Sequence, residues 1–300
     1  MQILHSPICG GKRLKGIVAK NSADQPLVTV ITAVFNGVKD LETTILSVLN
    51  QSYANVEYIV IDGGSTDGTL DLLRKYENSI DYWLSEPDSG VYDAFNKACR
   101  LITGEWAVFI GAGDMLYDES VLTLISEAVQ RVDINTEIVY GNVCITNGAS
   151  RLMTMQNREW SQMQDKWLGA RPWLPHHQGV FHRKRILSTK AVFDINYKIA
   201  ADSKLLYSSI ARAKPVFVDV TVAAASVGGI STNPQYTMNF MNEVNRINRE
   251  FGFINYRRQS WSYVKCILKS IIYRLFGDSG SKQCIDMYRW LTGREKIWRN

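Results

Sequence analysis

The feature that most limits what this chain can fold into is an alternation in its first half. Apolar runs too short and too β-branched for helices each give way to a stretch of helical period. "LVTVITAVF" (27–35) is a nearly unbroken run of Val, Ile and Thr with few polar positions, as a strand buried on both faces requires. After Asn36 and Gly37 the period changes, and Leu41, Ile45, Val48 and Leu49 fall on one face of a helix predicted over 39–50. "VEYIVIDGG" (56–64) is the next strand and turn, and Asp67-Gly68 leads into a helix with Leu70, Leu73 and Tyr76 inward. A strand at 80–86, a helix at 90–101, a strand at 105–114, a helix at 118–130 and a strand at 137–143 complete the series. Such alternation predicts βαβ units around a parallel sheet. Ligands of an open α/β sheet bind outside the carboxyl ends of its strands. Asn36, Asp62, Glu86 with Asp88, and Asp114 collect at those ends.

The second half is less regular. "NVCITNGASRLMTMQ" (142–156) reads as a hairpin turning at Asn147-Gly148. Residues 160–175, rich in Trp and Pro, fit a loop or short helices, and 176–187 opens with a short strand. A helix is expected from Ala201, a strand at 215–226, and helices at 235–250, 259–276 and 283–298. Residues 1–26 lack any period and read as a loosely held leader, which divides the chain into 1–26, 27–145, 146–232 and 233–300.

Charge separates the halves more sharply than hydropathy does. Residues 1–150 carry 10 Lys/Arg against 19 Asp/Glu, a balance of −9, whereas residues 151–300 carry 24 against 10, a balance of +14. The acidic half repels a nucleic-acid backbone, so no nucleic acid is expected as partner; the basic half suits a phosphorylated substrate or anionic lipid. Five cysteines, at 9, 99, 144, 266 and 284, show no metal-ligand spacing and point to a reducing, cytoplasmic setting. No secretory signal and no run of 18 apolar residues is read in the sequence.

Several clusters could carry chemistry, each with a plainer alternative. In "VIDGGSTDGT" (60–69), Asp62 at a strand tip could meet a base or ribose, while Asp67 could simply cap the following helix. "SEPDSGVYDAFNKA" (85–98) gathers Glu86, Asp88 and Asp93; Asp93 and Lys97 stand four apart and could pair, and Asn96 could meet a ligand or solvent. "FIGAGD" (109–114) carries Asp114 to a strand tip, where it could hold Mg²⁺ or Mn²⁺ or only shape a turn. "PHHQGVFHRKR" (175–185) offers His176 and His177 to a metal or phosphate, and Arg183 to Arg185 to phosphate or solvent. Asp202 in "AADSKLL" (200–206) is an N-cap or a general base. In "SWSYVKCILKSIIYRLFG" (260–277), Val264, Leu268, Ile271 and Leu275 form a stripe flanked by Lys and Arg. That helix suits an anionic membrane surface, the catalytic body or a second copy in a homodimer.

Taken in order, "TVITAVFNG", "TILSVLNQSY", "VIDGGSTDGT", "SEPDSGVYDAFNKA" and "GEWAVFIGAGD" resemble an inverting family 2 glycosyltransferase of the bacterial polysaccharide- and lipopolysaccharide-building kind. The likeness covers roughly 27–120 closely, and the second half more loosely through "PHHQGVF" and "AADSKLL". It implies a GT-A (Rossmann-like) α/β fold: a mixed, mostly parallel sheet flanked by helices, with a helical C-terminal extension. Residues 27–145 would bind the nucleotide sugar, 146–232 the acceptor, and 233–300 would form a basic helical extension.

Residue by residue, the resemblance implies that Thr32, Val34, Phe35 and Asp62 contact the uracil side of a UDP-sugar. Asp88, Asp93, Asn96, Lys97 and Gly113 would border the donor sugar and diphosphate, with His176 or His177 helping. Asp114 would hold Mn²⁺ or Mg²⁺ and Asp202 would be the catalytic base. Two departures stand out: Ala112 and Gly113 replace the earlier acid of the Asp-x-Asp motif, and Ala201-Asp202 replaces Glu-Asp. Both resemble variants in lipopolysaccharide and capsule enzymes of the family. The implied acceptor is a polyprenyl-diphosphate-linked glycan at the cytoplasmic face of the inner membrane. Two rivals are a nucleotidyltransferase acting on a sugar phosphate, which would need more acids on the metal, and a non-catalytic sugar-binding homologue.

Overall fold

The structure, a computed structural model, describes residues 7–22, 24–146, 151–155, 157–189, 191–227, 229, 233–293 and 296. In chain order the first half runs β1 (Ile8–Gly10), β2 (Val28–Val34), α1 (Val38–Leu49), β3 (Val56–Asp62), α2 (Thr69–Lys75), β4 (Tyr82–Ser85), α3 (Val91–Cys99), β5 (Trp106–Gly111), β6 (Met115–Leu116) and α4 (Val121–Val129). The second half adds β7 (Ile138–Thr146), β8 (Arg151–Met155), α5 (Trp160–Met163), β9 (Trp167–Leu168), β10 (Arg171–Pro172), β11 (Val180–Arg183), α6 (Lys184–Leu187), α7 (Ala201–Ile210), β12 (Val216–Ser226), α8 (Thr237–Glu250) and α9 (Tyr256–Leu291).

Ten strands form one mixed sheet in the order β1-β4-β3-β2-β5-β11-β7-β12-β6, with β8 beside β7. Its site-bearing centre, β4-β3-β2-β5, is parallel throughout, and β11 enters antiparallel between β5 and β7. Strand periodicity divides the core. Ile31, Ile59, Ile61 and Phe109 face α3 and α7, whereas Val30, Tyr58, Val60 and Val108 face α1 and α4. Two covered faces explain why these strands read as continuous apolar runs.

Two expectations are corrected and a third is met. Residues 8–16 are not a loose leader: β1 pairs with β4, and Arg13 pairs with the buried Glu57 while donating to Leu101 O at 2.9 Å. Within 160–175, where a loop or short helices are expected, α5 is such a helix, but residues 167–172 form a second, two-stranded sheet. The two helices expected at 259–276 and 283–298 are present within 256–291, separated at Gly277, whose φ of 65° only glycine adopts easily; most of the expected end beyond residue 293 lies outside the described residues. The β7–β8 pairing agrees with the expected hairpin, whose Asn147-Gly148 turn lies outside the described residues. Among the described residues no helix is long and apolar enough to cross a membrane.

Candidate active site

At the carboxyl edge of the parallel strands, the loops after β2 and β3 are tied together. Ser65 Oγ accepts from Asn36 N at 2.7 Å, and Asn36 Oδ1 accepts from Thr66 N at 2.9 Å. Asn36 holds a left-handed φ of 49° to do so, a conformation Asn tolerates better than most residues. Asp67 accepts from Thr69 N at 3.0 Å and from Val38 N at 3.0 Å, so it secures the starts of both α1 and α2. Asp67 thus binds the first N–H group of each helix, as the structural reading of this residue expects, although the N-cap position of α2 is Gly68 and not Asp67 itself.

This rim sorts the residues expected around the nucleotide. Phe35 projects from it, 65% exposed. Thr32 and Val34 do not reach the surface: both are buried, Val34 at the very end of β2, and Thr32 Oγ1 lies 3.1 Å from the buried Tyr58 hydroxyl. Asp62 is enclosed, accepting from Ser65 N at 3.1 Å, from Ser65 Oγ, and from Ser85 Oγ at 2.6 Å. Its carboxylate shapes the rim instead of standing free. Asp88 packs over Gly63, where a Cβ would come 2.7 Å from Asp88 Oδ2. Burial pushes the Asp88 carboxyl up, against a hydrogen bond from Gly90 N at 2.8 Å.

α3 behaves differently from expectation. Asp93 does not pair with Lys97: it reaches back to accept from Ser89 N at 3.0 Å, while Lys97 meets Glu86 at 2.8 Å and Pro87 O at 2.9 Å. Asn96 is buried, and its amide donates to Phe193 O at 2.8 Å and accepts from Val192 N and Phe193 N. It holds the segment before α7 and reaches no ligand space. Arg183, expected at phosphate or in solvent, instead pairs with Glu105 at 2.8 Å and lies over the Trp106 ring.

Beyond the rim lies a cavity of about 830 Å³ that brings both halves of the chain together. Gly113, Asp114, His176, His177 and Asp202 all line it, as do Asp40, Tyr92, Arg171, Gln178 and Ser226. Gly113 has φ 95° and donates to Thr44 Oγ1 at 2.9 Å. A side chain there would be strained, but Gly113 is the middle position of the motif; the missing acid falls at Ala112. Asp40, on the first turn of α1, lies 3.4 Å from where a Gly113 Cβ would stand, so a carboxylate occupies that neighbourhood after all.

Asp114 is 8% exposed; its Oδ1 accepts from Ser226 N at 2.9 Å, and its Oδ2 from Gln178 Nε2 at 3.0 Å and Gly111 N at 3.3 Å. Oδ1 keeps a lone pair, whereas Oδ2 is saturated. Among the described residues, no group of three or more His, Cys, Asp or Glu side chains is gathered for a metal. This donor set does not fit an ion caged by protein. It does fit a hard divalent ion that takes one carboxylate and draws its other ligands from a diphosphate and water.

Burial, with His177 alongside, pulls His176 down to about 4, so its imidazole is neutral near pH 7 and can donate a hydrogen bond without adding charge. Asp202 opens α7, whose preceding N–H groups on Lys198, Ile199 and Ala200 are taken by Glu243 at 2.7, 2.9 and 2.9 Å. Glu243 thus anchors the segment entering α7, which has no side-chain cap, and Asp202 lines the cavity. Tyr92 OH, 2.7 Å from Ile199 O and 3.0 Å from Asp202 Oδ1, orients that carboxylate.

The model of glycosyl transferase family 2 matches residues 29–193, just over half of the chain, and takes in the rim, Asp114 and both histidines. The chain belongs to that family. Among relatives of this family 2 glycosyltransferase, a PGL/p-HBAD biosynthesis glycosyltransferase of Mycobacterium bovis is 29% identical over 182 residues, 59% of this chain and 67% of its own. Residues 1–349 of S. aureus TarS, solved in complex with UDP, align with TM-score 0.53 and 16% identity over 75% of this chain and 70% of that one. The Pyrobaculum calidifontis mannosyltransferase PcManGT, solved with GDP-Man and Mn²⁺, aligns with TM-score 0.58 and 17% identity over 94% and 85%. The fold is GT-A.

Tyr92, Gln178, Ser226, Arg171 and Asp40 were not singled out from sequence. Gln178 and Tyr92 lie within motifs that carry the family resemblance, but Tyr92 and Ser226 meet their acids only through long-range packing.

Proposed function

We propose that this family 2 glycosyltransferase moves a sugar from a UDP-sugar to a hydroxyl of a lipid-linked glycan in cell-surface polysaccharide synthesis. The observation that carries this reading is that Asp114 and Asp202, from opposite halves of the chain, line one cavity beside the loop rim. The TarS complex with UDP and the biosynthetic role in the mycobacterial relative's name support the donor and pathway class.

Phe35 offers a ring to the base, and Asp88 with the glycine turn at 63–64 borders the ribose. His176 and His177 donate to the diphosphate from the cavity wall. Asp202, held by Tyr92, takes the acceptor's hydroxyl proton as that oxygen bonds to the anomeric carbon from the face opposite the diphosphate. The bond from the anomeric carbon to the diphosphate oxygen breaks, UDP departs with the electron pair, and the configuration inverts. Mn²⁺ or Mg²⁺ on Asp114 would offset the charge developing on the leaving diphosphate.

A panel of nucleotide sugars, incubated with Mn²⁺ or Mg²⁺ and read by nucleoside diphosphate release, tests the reading. Release of UDP from at least one UDP-sugar is expected. Turnover confined to other nucleotides, or none at all, contradicts it.

A further inference from the structure

The two-residue strands β9 and β10 have a role that the transfer mechanism leaves unused. Their register pairs Arg171 with Leu168, so Gly169 and Ala170 form a two-residue turn, with Gly169 at φ 62°. The turn is anchored on α8: Ala170 packs against Met241 and Val244, and its carbonyl accepts from Asn248 Nδ2 at 2.8 Å. Trp173 N donates to Lys166 O at 2.9 Å and continues the ribbon. Arg171 and Trp173, two residues apart on an extended chain, share a face, and both line the catalytic cavity.

Arg171 Nη1 is buried there with no hydrogen-bond partner among the described residues. A buried guanidinium N–H left unmatched costs desolvation that the protein does not return. Among the described residues, two side chains lining the cavity are permanently cationic, and the other, Lys198, points its Nζ to Ser89 O at 3.4 Å. The ribbon also touches the base-bearing helix. Tyr207, five residues after Asp202 on α7, donates its hydroxyl to Pro172 O at 2.6 Å and sits beside the Arg171 guanidinium. Arg171 therefore belongs to the side of the cavity that holds the base, with Leu168, Trp173, Leu206 and Phe240 as an apolar collar around it.

We infer that Arg171 is an acceptor-binding residue, which grips a phosphate ester carried by the acceptor while its hydroxyl faces Asp202. This rests on the transferase reading above and names the chemistry of its second substrate. A guanidinium fork matches phosphate oxygens with two parallel hydrogen bonds. The apolar collar suits an alkyl chain on that phosphate.

The test is calorimetric titration of the full chain, saturated with UDP and Mg²⁺, with octyl phosphate below its micelle concentration, glycerol 1-phosphate and glucuronate. Phosphate binding alongside UDP is expected, weakened at least about tenfold by Arg171→Ala and partly restored by Arg171→Lys, with UDP affinity and melting temperature unchanged. Tighter binding of octyl phosphate than of glycerol 1-phosphate supports the inference with a lipid as the source. The reverse order supports it with a water-soluble phosphate acceptor. Competition with UDP, indifference to Arg171→Ala, or glucuronate binding in place of both phosphates overturns it. If the unmodified chain does not bind UDP at all, the transferase reading itself fails, a result distinct from these.

Discussion

Tyr92 shows how much of this site rests on side chains that do no chemistry themselves. Its hydroxyl is buried beside Asp202, and burial, reinforced by that carboxylate, holds its pKa well above the ordinary phenol range. It therefore stays protonated as a donor. Removing the hydroxyl in Tyr92→Phe frees Asp202 to rotate; a hydrogen bond to a charged group is worth about 1.5 kcal/mol, or roughly tenfold in rate. The expected result is a kcat/KM about tenfold lower with unchanged UDP affinity, measured by UDP release and calorimetry.

His182 makes a prediction about stability. It lies fully buried on β11, edge-on to Phe109 at 5.7 Å, and burial pulls it from 6.5 down to about 3. The unfolded chain therefore binds a proton that the folded chain refuses, so stability is whole above pH 6.5 and falls as pH drops toward 3. This one group contributes a slope of about 1.4 kcal/mol per pH unit in that window. Urea midpoints between pH 7 and 5 should fall accordingly and fall less steeply in His182→Phe; equal slopes in both proteins would refute the assignment.

Elements reveal where sequence reading succeeds and where it stops. The strands β2, β3 and β5 were legible because burial on both faces leaves a long β-branched signature, and their polar ends identified the working edge. Asp114, Asp202 and the two histidines stand out in the sequence because each lies beside an element's start or end, and the structure brings them to one cavity. The β9–β10 ribbon was not legible, since two-residue strands carry no period to read. Asn96 and Lys97 were misplaced because a helix's sequence does not say which face meets the ligand and which the core; Phe193 and Glu86 decide that here.

The first segment escaped for another reason: Arg13 is hydrophilic, yet its partner Glu57 is 2% exposed and also accepts from Thr29 Oγ1 at 2.6 Å and Thr103 N at 2.8 Å. Arg13→Ala should cost about 2–3 kcal/mol in chemical denaturation by leaving that carboxylate without its cation. A loss below about 0.5 kcal/mol would mean that β1 is incidental to the fold.

The helix α9 turns its larger apolar side chains outward, with Trp261 61%, Leu268 54% and Leu275 71% exposed. Ser262, Cys266, Ser270, Ile272 and Tyr273 are half-buried in its first part, where Cys266 packs toward α8, and Ser281 and Asp286 are buried after Gly277. Ten basic against three acidic residues in the last fifty favour an anionic membrane surface over docking on the protein's own body. Co-sedimentation with phosphatidylglycerol vesicles, weakened by salt and by Leu268→Glu with Leu275→Glu, is the expected outcome. Equal binding to phosphatidylcholine vesicles would contradict the electrostatic part of this proposal.

At the scale of the whole molecule, the chain joins an acidic half and a basic half across one cavity, and the proposed division of labour follows that seam. The first half gives the nucleotide rim and Asp114, while the second gives the histidines, Asp202 and Arg171. Asp202→Asn keeps the side chain's shape but removes the proton acceptor, so it separates binding from chemistry. With a UDP-sugar that the unmodified protein turns over, the variant should bind donor with the same affinity by calorimetry, while sugar transfer falls about 100- to 10,000-fold. Undiminished transfer by Asp202→Asn would contradict the account at its centre.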